Sequence, residues 1–234
     1  METAPRIAPA ETLEKKASGL GSETLRKLNA IIADPTNYID KGGAGIVYRL
    51  PQGLCIKVMQ VVRHDMPGAN KYDLGNDTHE EAQYLKELSK FEAKGVRSPR
   101  YIGHTKKKMP DGMDGIVMEE LRATNLEKMF KGDEEMPEGF DWHTFMDALE
   151  GYISALHEKG IVHGDMAPRN VMVDKQTGLP RVIDFGRSFK KDTLSPTVWE
   201  QKIANEWTEL ERISEKIEGF LGDSKDLTKT KKYG

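Results

Sequence analysis

The sequence predicts an α+β chain with two lobes, and three observations support this fold class. The first 120 residues contain short β-type segments with amphipathic helical segments between them, whereas the remainder is mostly helical. Such segregation of strands and helices along a chain is typical of α+β folds. The length of 234 residues allows two small lobes around a cleft. We therefore expect a hinge near position 120.

Four segments follow from this pattern. We expect an N-terminal extension with one amphipathic helix, an N-lobe, a small C-lobe and a basic tail, with the bounds 1–35, 36–119, 120–222 and 223–234. In the extension, the helix begins after Ser22 and ends at Asp34-Pro35. Its apolar face is formed by Leu25, Leu28, Ile31 and Ile32.

Composition and charge exclude several classes of protein. The chain is 31% charged and 37% hydrophobic, with a formal net charge of −3, so nothing draws it to nucleic acid. No apolar run is long enough to span a membrane, and the N-terminus does not resemble a secretory signal peptide. The single cysteine, Cys55, excludes an internal disulfide framework. We expect a cytoplasmic protein, or a bacterial protein delivered to a host cytosol.

The N-lobe is predicted to be a sheet with one helix. Strands are expected at 38–39, 46–50, 54–61, 101–105 and 115–120. The segment 78–93 has apolar residues at helical spacing and predicts a helix. The intervening segments at 63–77 and 106–114 are predicted to be a polar loop and a charged turn.

The C-lobe is predicted to be mainly helical. Helices are expected at 122–130, 142–159 and 195–221, with an acidic loop at 132–139. Asp141 is a suitable N-cap for the middle helix and Gly160 a suitable stop. Three short β-type stretches, at 161–162, 171–173 and 181–183, lie between the last two helices, and the second and third predict a hairpin.

The strongest chemical signal lies around this hairpin. Residues 163–170 have the sequence His-Gly-Asp-Met-Ala-Pro-Arg-Asn, and Asp184-Phe185-Gly186 follows the second strand. The hairpin brings Asn170 and Asp184 to the same end, where their oxygens suit Mg²⁺. A further carboxylate on the same loop, Asp165, suits a base that accepts a proton from an attacking hydroxyl.

The segment 163–186 resembles the catalytic loop and the Asp-Phe-Gly motif of protein kinases in order, spacing and inferred hairpin. The resemblance implies that ATP is the phosphoryl donor, Asp165 is the catalytic base, and Asn170 and Asp184 bind Mg²⁺. It also implies that His163 braces the loop, and that Arg169 contacts the γ-phosphate or the substrate.

Two segments extend the resemblance to the N-lobe. A glycine-rich segment between two strands is similar to the kinase loop that covers the phosphates of ATP. It consists of Gly42, Gly43, Ala44 and Gly45. Asp40 stands where that kinase loop has its first glycine. Lys57 resembles the strand lysine that contacts the α- and β-phosphates. Its implied helix partner is Glu81, with Glu80 as the alternative.

The segment 116–121 resembles the strand that leads into the kinase hinge. The resemblance implies that Met118 lies beside adenine as the gatekeeper and that the backbone of Glu119 and Leu121 binds the adenine edge. ATP would lie in the cleft between the lobes. The side chains implied to enclose the base are Val47, Cys55, Leu121 and Met172.

The chain departs from conventional protein kinases in several respects. Gly164 replaces an arginine that reads a phosphorylated activation loop, and Ala167 replaces a lysine. No Ala-Pro-Glu motif follows Gly186, and the remaining residues are too few for a full helical lobe. In outline the chain is similar to small bacterial effector kinases, RIO-type kinases and the small kinase of the tRNA threonylcarbamoylation complex. We expect activity without activation-loop phosphorylation, and a partner protein that supplies missing surface.

Four functions remain open at this point. The first is a serine/threonine or tyrosine protein kinase, and the second is a small-molecule kinase of the aminoglycoside or sugar type, which shares the His-Gly-Asp loop. The others are a partner-coupled ATPase or nucleotidyl transferase, and a nucleotide-binding pseudokinase scaffold. The short C-lobe favours a macromolecular substrate, and the complete set of charged residues favours an enzyme.

Overall fold

A computed structural model describes residues 22–42, 45–59, 78–105 and 115–230. The chain divides into two compact units, the first formed by Met1–Lys90 and Pro99–Leu121 and the second by Phe91–Ser98 and Arg122–Gly234. Some predicted features lie outside the described residues: Gly43, Ala44, the strand end at 60–61, the loop 63–77, the turn 106–114 and the tail after 230.

Five helices and twelve strands make up the described part of the chain. In the first half they are α1 (Ser22–Ala33), β1 (Tyr38–Lys41), β2 (Gly45–Leu50), β3 (Leu54–Met59), α2 (Thr78–Leu88), β4 (Glu92–Ala93), β5 (Val96–Arg97), β6 (Tyr101–His104) and β7 (Gly115–Glu119). In the second half they are β8 (Ala123–Asn125), α3 (Leu126–Lys131), α4 (Trp142–Glu158), β9 (Ile161–Val162), β10 (Val171–Asp174), β11 (Pro180–Val182), β12 (Phe189–Lys190) and α5 (Pro196–Thr230).

The first unit is built on a five-stranded antiparallel sheet in the order β1-β2-β3-β7-β6. Helix α1 ends just before Asp34-Pro35, as its sequence predicts, and buries Leu28 against the sheet. Alternate residues of a strand face opposite sides, so Leu54, Ile56 and Val58 share the face that α1 covers. The core cluster on this face consists of Leu28, Leu50, Leu54, Ile56, Val58, Ile102 and Val117, with Ile31 and Ile32 packed beside it.

The helix predicted at 78–93 is shorter than expected, because it ends at Leu88. Residues 92–97 instead form the β4–β5 hairpin of the second unit. At its turn, Lys94 has φ 53° and Gly95 has φ 76°. Two successive positive φ angles are typical of the tight turns that join antiparallel strands. The Lys-Gly turn therefore places residues 92–93 in a strand, which apolar spacing alone did not indicate.

The second unit contains a sheet in the order β4-β5-β11-β10-β8, and the predicted hairpin of β10 and β11 is confirmed. The helix predicted at 122–130 is wrong at its start. Residues 123–125 form strand β8, which pairs with β10. Helix α3 begins only at Leu126, where Asn125 Oδ1 accepts hydrogen bonds from the N–H groups of Glu127 and Lys128.

Helices α4 and α5 supply most of the remaining core. Asp141 caps α4 by accepting a hydrogen bond from His143 N at 3.0 Å, and Gly160 follows its end with φ 78°, as predicted. Helix α5 runs to Thr230, beyond the predicted end at 221. One face of it is buried through Trp199, Glu206, Leu210, Ile213 and Ile217. None of the helices in the described residues has the length and apolar character that a membrane span requires.

Candidate active site

A buried ion pair is the central feature of the candidate site in the first unit. Lys57 lies on β3 and is 6% exposed, and Glu81 lies in the first turn of α2 and is 1% exposed. Lys57 Nζ and Glu81 Oε1 are 2.7 Å apart. Glu80, the alternative partner, is half-buried one position earlier. The pair fixes the ammonium group on the sheet, since two buried opposite charges cannot separate without a large desolvation cost.

Three of the side chains predicted to contact adenine, Val47, Cys55 and Met118, lie on the same face of the sheet as Lys57. Val47 is directly opposite Lys57, and Cys55 is directly opposite Met118. Side chains of directly opposed residues project to the same face, and so do those two apart on one strand. The register therefore gathers Val47, Cys55, Lys57 and Met118 on one surface.

The thiol of Cys55 packs within this surface and is not reactive. Burial raises the pKa of Cys55 to about 12, and the negative charges of Glu120 and Glu119 act in the same direction. The Sγ atom lies 3.6 Å from the carbonyl oxygen of Glu119. The thiol therefore stays protonated at neutral pH and acts as a small apolar group.

The segment predicted to bind the adenine edge is partly engaged in the sheet. Glu119 N donates to Arg100 O at 2.9 Å, and Glu120 N donates to Gly53 O at 2.9 Å. The carbonyl oxygen of Glu119 also contacts the thiol of Cys55. Leu121 is half-buried at the last position of the unit.

The two described glycines of the glycine-rich segment close a narrow turn. Gly42 N donates to Gly45 O at 2.9 Å, and Gly45 begins β2. Asp40 belongs to β1 opposite Val47, and its Oδ1 accepts a hydrogen bond from Lys41 N at 2.8 Å. The carboxylate at the first glycine position thus bonds to the backbone beside it.

In the second unit, Asn170 is fixed against Asp165. Asn170 Nδ2 donates to the backbone oxygen of Asp165 at 2.7 Å and to Asp165 Oδ2 at 3.0 Å. Two acceptors require the NH₂ group on that side, so the amide oxygen of Asn170 must point away from Asp165. This orientation leaves an oxygen ligand directed outward from the loop.

Arg169 occupies the other oxygen of the same carboxylate. Arg169 Nη2 and Asp165 Oδ1 are 2.5 Å apart, and the arginine side chain is 52% exposed. Both oxygens of Asp165 therefore have donors in this structure.

Asp184 is placed next to Asn170 by the hairpin. Ile183 N donates a hydrogen bond to Asn170 O at 3.0 Å. Asp184, the next residue after Ile183, therefore lies close to Asn170. Asp184 has φ 67°, a left-handed conformation that costs a non-glycine residue energy and is concentrated at functional sites. Asn170 and Asp184 thus supply an amide oxygen and a carboxylate, the ligand types that Mg²⁺ prefers alongside phosphate and water.

Histidine 163 braces the loop from within the core. It is fully buried, and its ring lies 4.7 Å from that of Phe185. Its Nε2 donates to the carbonyl oxygen of Ile183 at 2.9 Å, while Nδ1 faces the N–H of Asp165 at 3.4 Å. One ring nitrogen therefore donates and the other accepts. The ring links Ile183, which precedes Asp184, to the backbone of Asp165.

Glu206 was not singled out from the sequence, although it anchors the same loop. It is 3% exposed on α5 and accepts hydrogen bonds from Gly164 N at 2.8 Å and His163 N at 3.4 Å. It also pairs with His157 Nε2 at 2.6 Å. The sequence did contain a signal for this residue: Glu206 is a carboxylate on the apolar face of a predicted helix, four residues before Leu210.

A second carboxyl group lies near Asp165. Burial raises the pKa of Glu209, and the charge of Asp165 acts in the same direction, while Arg212 and Arg169 offset part of the rise.

Met172, predicted to contact adenine, is half-buried on β10 opposite Arg181. Among the described residues, no three His, Cys, Asp or Glu side chains cluster as a metal site.

Comparison with known proteins agrees with these features. Residues 37–221 match the model of the protein kinase domain. The chain is 31% identical over 110 residues to serine/threonine-protein kinase nekl-2 of Caenorhabditis elegans, covering 44% of this chain and 31% of that protein. It is 27% identical over 179 residues to human receptor-interacting serine/threonine-protein kinase 1, covering 75% and 23%.

A third relative belongs to a complex. The chain is 25% identical over 114 residues to EKC/KEOPS complex subunit bud32 of Dictyostelium discoideum, covering 48% of this chain and 43% of that protein. In each of these three matches the chain spans less than half of the relative's length.

Proposed function

The chain belongs to the protein kinase domain family, and on that premise we propose that it transfers the γ-phosphate of ATP to a serine or threonine hydroxyl of a protein. Two relatives are named serine/threonine kinases, which supports this class of hydroxyl. A tyrosine hydroxyl is the alternative acceptor.

The observation that carries the proposal is the arrangement of Asp165, Asn170 and Asp184 at one end of the hairpin. Asn170 Nδ2 donates hydrogen bonds to Asp165, so the amide oxygen of Asn170 points away from Asp165. Ile183 N donates a hydrogen bond to Asn170 O, which brings the next residue, Asp184, close to Asn170. Phosphoryl transfer needs mainly a positioned hydroxyl and neutralised phosphate charge. The carboxylate of Asp165 would position the hydroxyl. The oxygens of Asn170 and Asp184 would hold the metal ion that neutralises the phosphate charge.

Asn170 and Asp184 would hold Mg²⁺, which supplies positive charge against the phosphate oxygens when bound. Lys57 would orient the α- and β-phosphates, because Glu81 holds its ammonium group at 2.7 Å on the face shared with Val47 and Cys55. The glycines of the glycine-rich segment have no Cβ, so the phosphates would approach its backbone closely.

Asp165 would orient the acceptor hydroxyl and accept its proton. Its Oδ1 is bonded to Arg169, and that arginine would move to the γ-phosphate, which carries more negative charge than one carboxylate. The exchange would free Oδ1 for the hydroxyl. Asn170 would keep Oδ2 in place, so that the base keeps its orientation.

A partner protein is part of the proposal. The bud32 relative is named as a subunit of a complex, which supports a search for a protein that binds this chain. The absence of an Ala-Pro-Glu motif from the sequence supports activity without phosphorylation of an activation loop. Phosphatase treatment is therefore expected to leave turnover unchanged.

The proposed transfer is tested by intact-mass analysis of the full chain incubated with Mg-ATP and casein. We expect phosphate on casein or on the chain itself, and none with D184A. The control D192A changes an exposed acid eight residues further on and should retain transfer. A nucleotide-sized mass increase would mean nucleotidyl transfer. ATP consumption without mass increase would mean an ATPase, and neither event with bound ATP would mean a scaffold.

A further inference from the structure

Three cationic residues lie on the segments that follow the Asp-Phe-Gly motif. Arg187 follows the Asp-Phe-Gly motif, Lys191 follows β12, and Lys202 lies in the second turn of α5. We refer to these three residues as the basic surface. Arg187 and Lys191 are exposed and Lys202 is half-exposed.

Contacts connect the basic surface to the residue that precedes Asp165. A Cβ on Gly164 would lie 2.3 Å from Arg187 O and 3.4 Å from Phe189 Cδ2, so the segment 187–189 lies directly against the loop. Lys202 Nζ in turn lies 4.3 Å from the centre of the Phe189 ring. The ammonium group of Lys202 is therefore one aromatic ring away from the backbone beside the base.

Aromatic rings hold the two lysines. Lys202 lies over Phe189, and Lys191 Nζ lies 6.0 Å from the centre of the Trp199 ring. Trp199 precedes Lys202 by one helical turn, which makes the two contacts neighbours. The attraction of a cation to an aromatic face restricts the positions of both ammonium groups.

The charges of the basic surface are not neutralised within the part of the chain that the structure describes. There, Arg49, Lys57 and Arg181 each pair with a carboxylate, whereas Arg187, Lys191 and Lys202 make no ion pair. The acidic residues of the same segment, Asp192 and Glu200, are exposed and make none with them. A local positive charge thus persists on a chain whose net charge is −3.

We propose that the basic surface binds an anionic side chain of the substrate, an aspartate, a glutamate or a phosphorylated residue, a few positions from the acceptor hydroxyl. The proposal rests on the proposed function, since it names the substrate class of the same site. The backbone of Arg187 lies against Gly164, the residue before Asp165. A peptide whose hydroxyl reaches Asp165 would therefore come near Arg187 within a few residues, because an extended chain advances about 3.4 Å per residue. Lys202 and Lys191 continue the surface beyond it.

The test uses the full chain, Mg-ATP and four serine peptides that differ at the positions flanking the acceptor. These positions carry aspartate, phosphoserine, asparagine or lysine, and added phosphate is counted by mass. We expect kcat/KM to be roughly three- to tenfold higher for the aspartate and phosphoserine peptides than for the asparagine peptide, mainly through KM. The preference should weaken as salt rises.

The double variant R187E/K202E should invert the order, so that the lysine peptide becomes preferred. The matched control is K216E, an exposed lysine on the same helix about 21 Å further along its axis, which should leave the order unchanged. Equal rates for all four peptides, or an unchanged order in R187E/K202E, would overturn the assignment while the proposed function stands. A preference for phosphoserine alone would narrow the class to phosphorylated substrates.

If no peptide is phosphorylated, that result counts against the proposed function and not against the basic surface. A peptide-binding measurement then tests the basic surface. Fluorescence anisotropy of the labelled aspartate and lysine peptides then reports on the surface directly. Tighter binding of the aspartate peptide, lost in R187E/K202E but kept in K216E, supports the assignment, and equal binding overturns it. Tighter binding of a labelled single-stranded RNA, lost in the same variant, would also overturn it, because the ligand would then be a nucleic acid.

Discussion

Gly164 determines how closely two loops of the second unit approach each other. Its φ is 76°, and a Cβ at this position would lie 2.3 Å from the carbonyl oxygen of Arg187. No side chain fits there without moving backbone. The arginine that conventional kinases have at this position is therefore incompatible with the packing seen here.

We predict that G164A destabilises the protein more than G178A does. Both glycines have positive φ, but no atom lies within 4 Å of a Cβ on Gly178. The left-handed conformation costs alanine about 1–2 kcal/mol at each site. The contact with Arg187 O adds roughly 1–3 kcal/mol at Gly164, since a backbone atom cannot rotate aside. Urea unfolding of the two variants measures the difference.

Kinase activity gives the second readout for this pair. G164A should also lose phosphoryl transfer, because displacement of residue 164 moves Asp165, whereas G178A should retain it. Equal free energies of unfolding for the two variants would show that the loops separate easily, contrary to this account.

At the scale of elements, α5 connects the core to the catalytic loop through Glu206. The carboxylate accepts hydrogen bonds from Gly164 N and His163 N and pairs with His157 of α4. Leu210, Ile213 and Ile217 bury the same face of the helix, so α5 cannot shift without exposing apolar surface. The packing of α5 therefore fixes the position of the catalytic loop at His163 and Gly164.

We predict that E206A lowers the free energy of unfolding by about 3–5 kcal/mol, since it leaves two backbone N–H groups and His157 without their acceptor. E218A, at an exposed position of the same helix, should change it by less than about 0.5 kcal/mol. Denaturant unfolding measures both. If E206A were as stable as E218A, water would be replacing the carboxylate and the anchoring role would be wrong.

The β10–β11 hairpin carries a pH-dependent element. Burial raises the pKa of Asp174, but hydrogen bonds from the N–H groups of Thr177 and Gln176 and the charge of Arg181 outweigh it, so the pKa lies below its ordinary value of 3.8. Arg181 Nη2 lies 2.9 Å from Asp174 Oδ2. A lowered pKa stabilises the fold above the unfolded-state pKa, and this contribution disappears as pH falls through the folded-state pKa.

We therefore predict that D174N lowers the melting temperature at pH 7 and that the difference from wild type shrinks as the pH falls below about 4. Thermal unfolding between pH 7 and pH 3 measures this. As a control, D192N changes an exposed acid outside this hairpin, and its difference from wild type should stay small throughout. A D174N difference that remained constant over the range would rule out the charge as its cause.

At the scale of the whole molecule, the N-terminal extension contributes to the core of the first unit. Leu28 of α1 is 3% exposed and packs within the cluster that contains Ile56 and Val117. The helix thus covers the sheet face opposite the one that carries Lys57 and Cys55. Its removal would expose apolar surface of β3 and β7.

We predict that L28A lowers the free energy of unfolding by about 2–5 kcal/mol, because it leaves a cavity in a packed cluster. R26A, at an exposed position of the same helix, should change it by less than about 0.5 kcal/mol. Urea unfolding monitored by far-UV circular dichroism compares the two. An L28A variant as stable as R26A would mean that α1 is dispensable for the sheet.

The sequence by itself determined the elements whose signals are local. Short β-type segments indicated β2, β3 and β7, and helical spacing with Asp141 and Gly160 indicated α4 and its ends. The hairpin of β10 and β11 followed from two short apolar stretches and a turn. Local geometry makes such patterns sufficient, since side-chain period and capping depend only on neighbouring residues.

Only the tertiary structure decided the contacts between distant segments. It selected Glu81 over Glu80 as the partner of Lys57, 24 residues away in sequence, because the orientation of α2 against the sheet determines which carboxylate is buried. It also brought Glu206 to Gly164, 42 residues earlier. Such pairs depend on the relative placement of packed elements, and neither spacing nor periodicity within one segment contains that information.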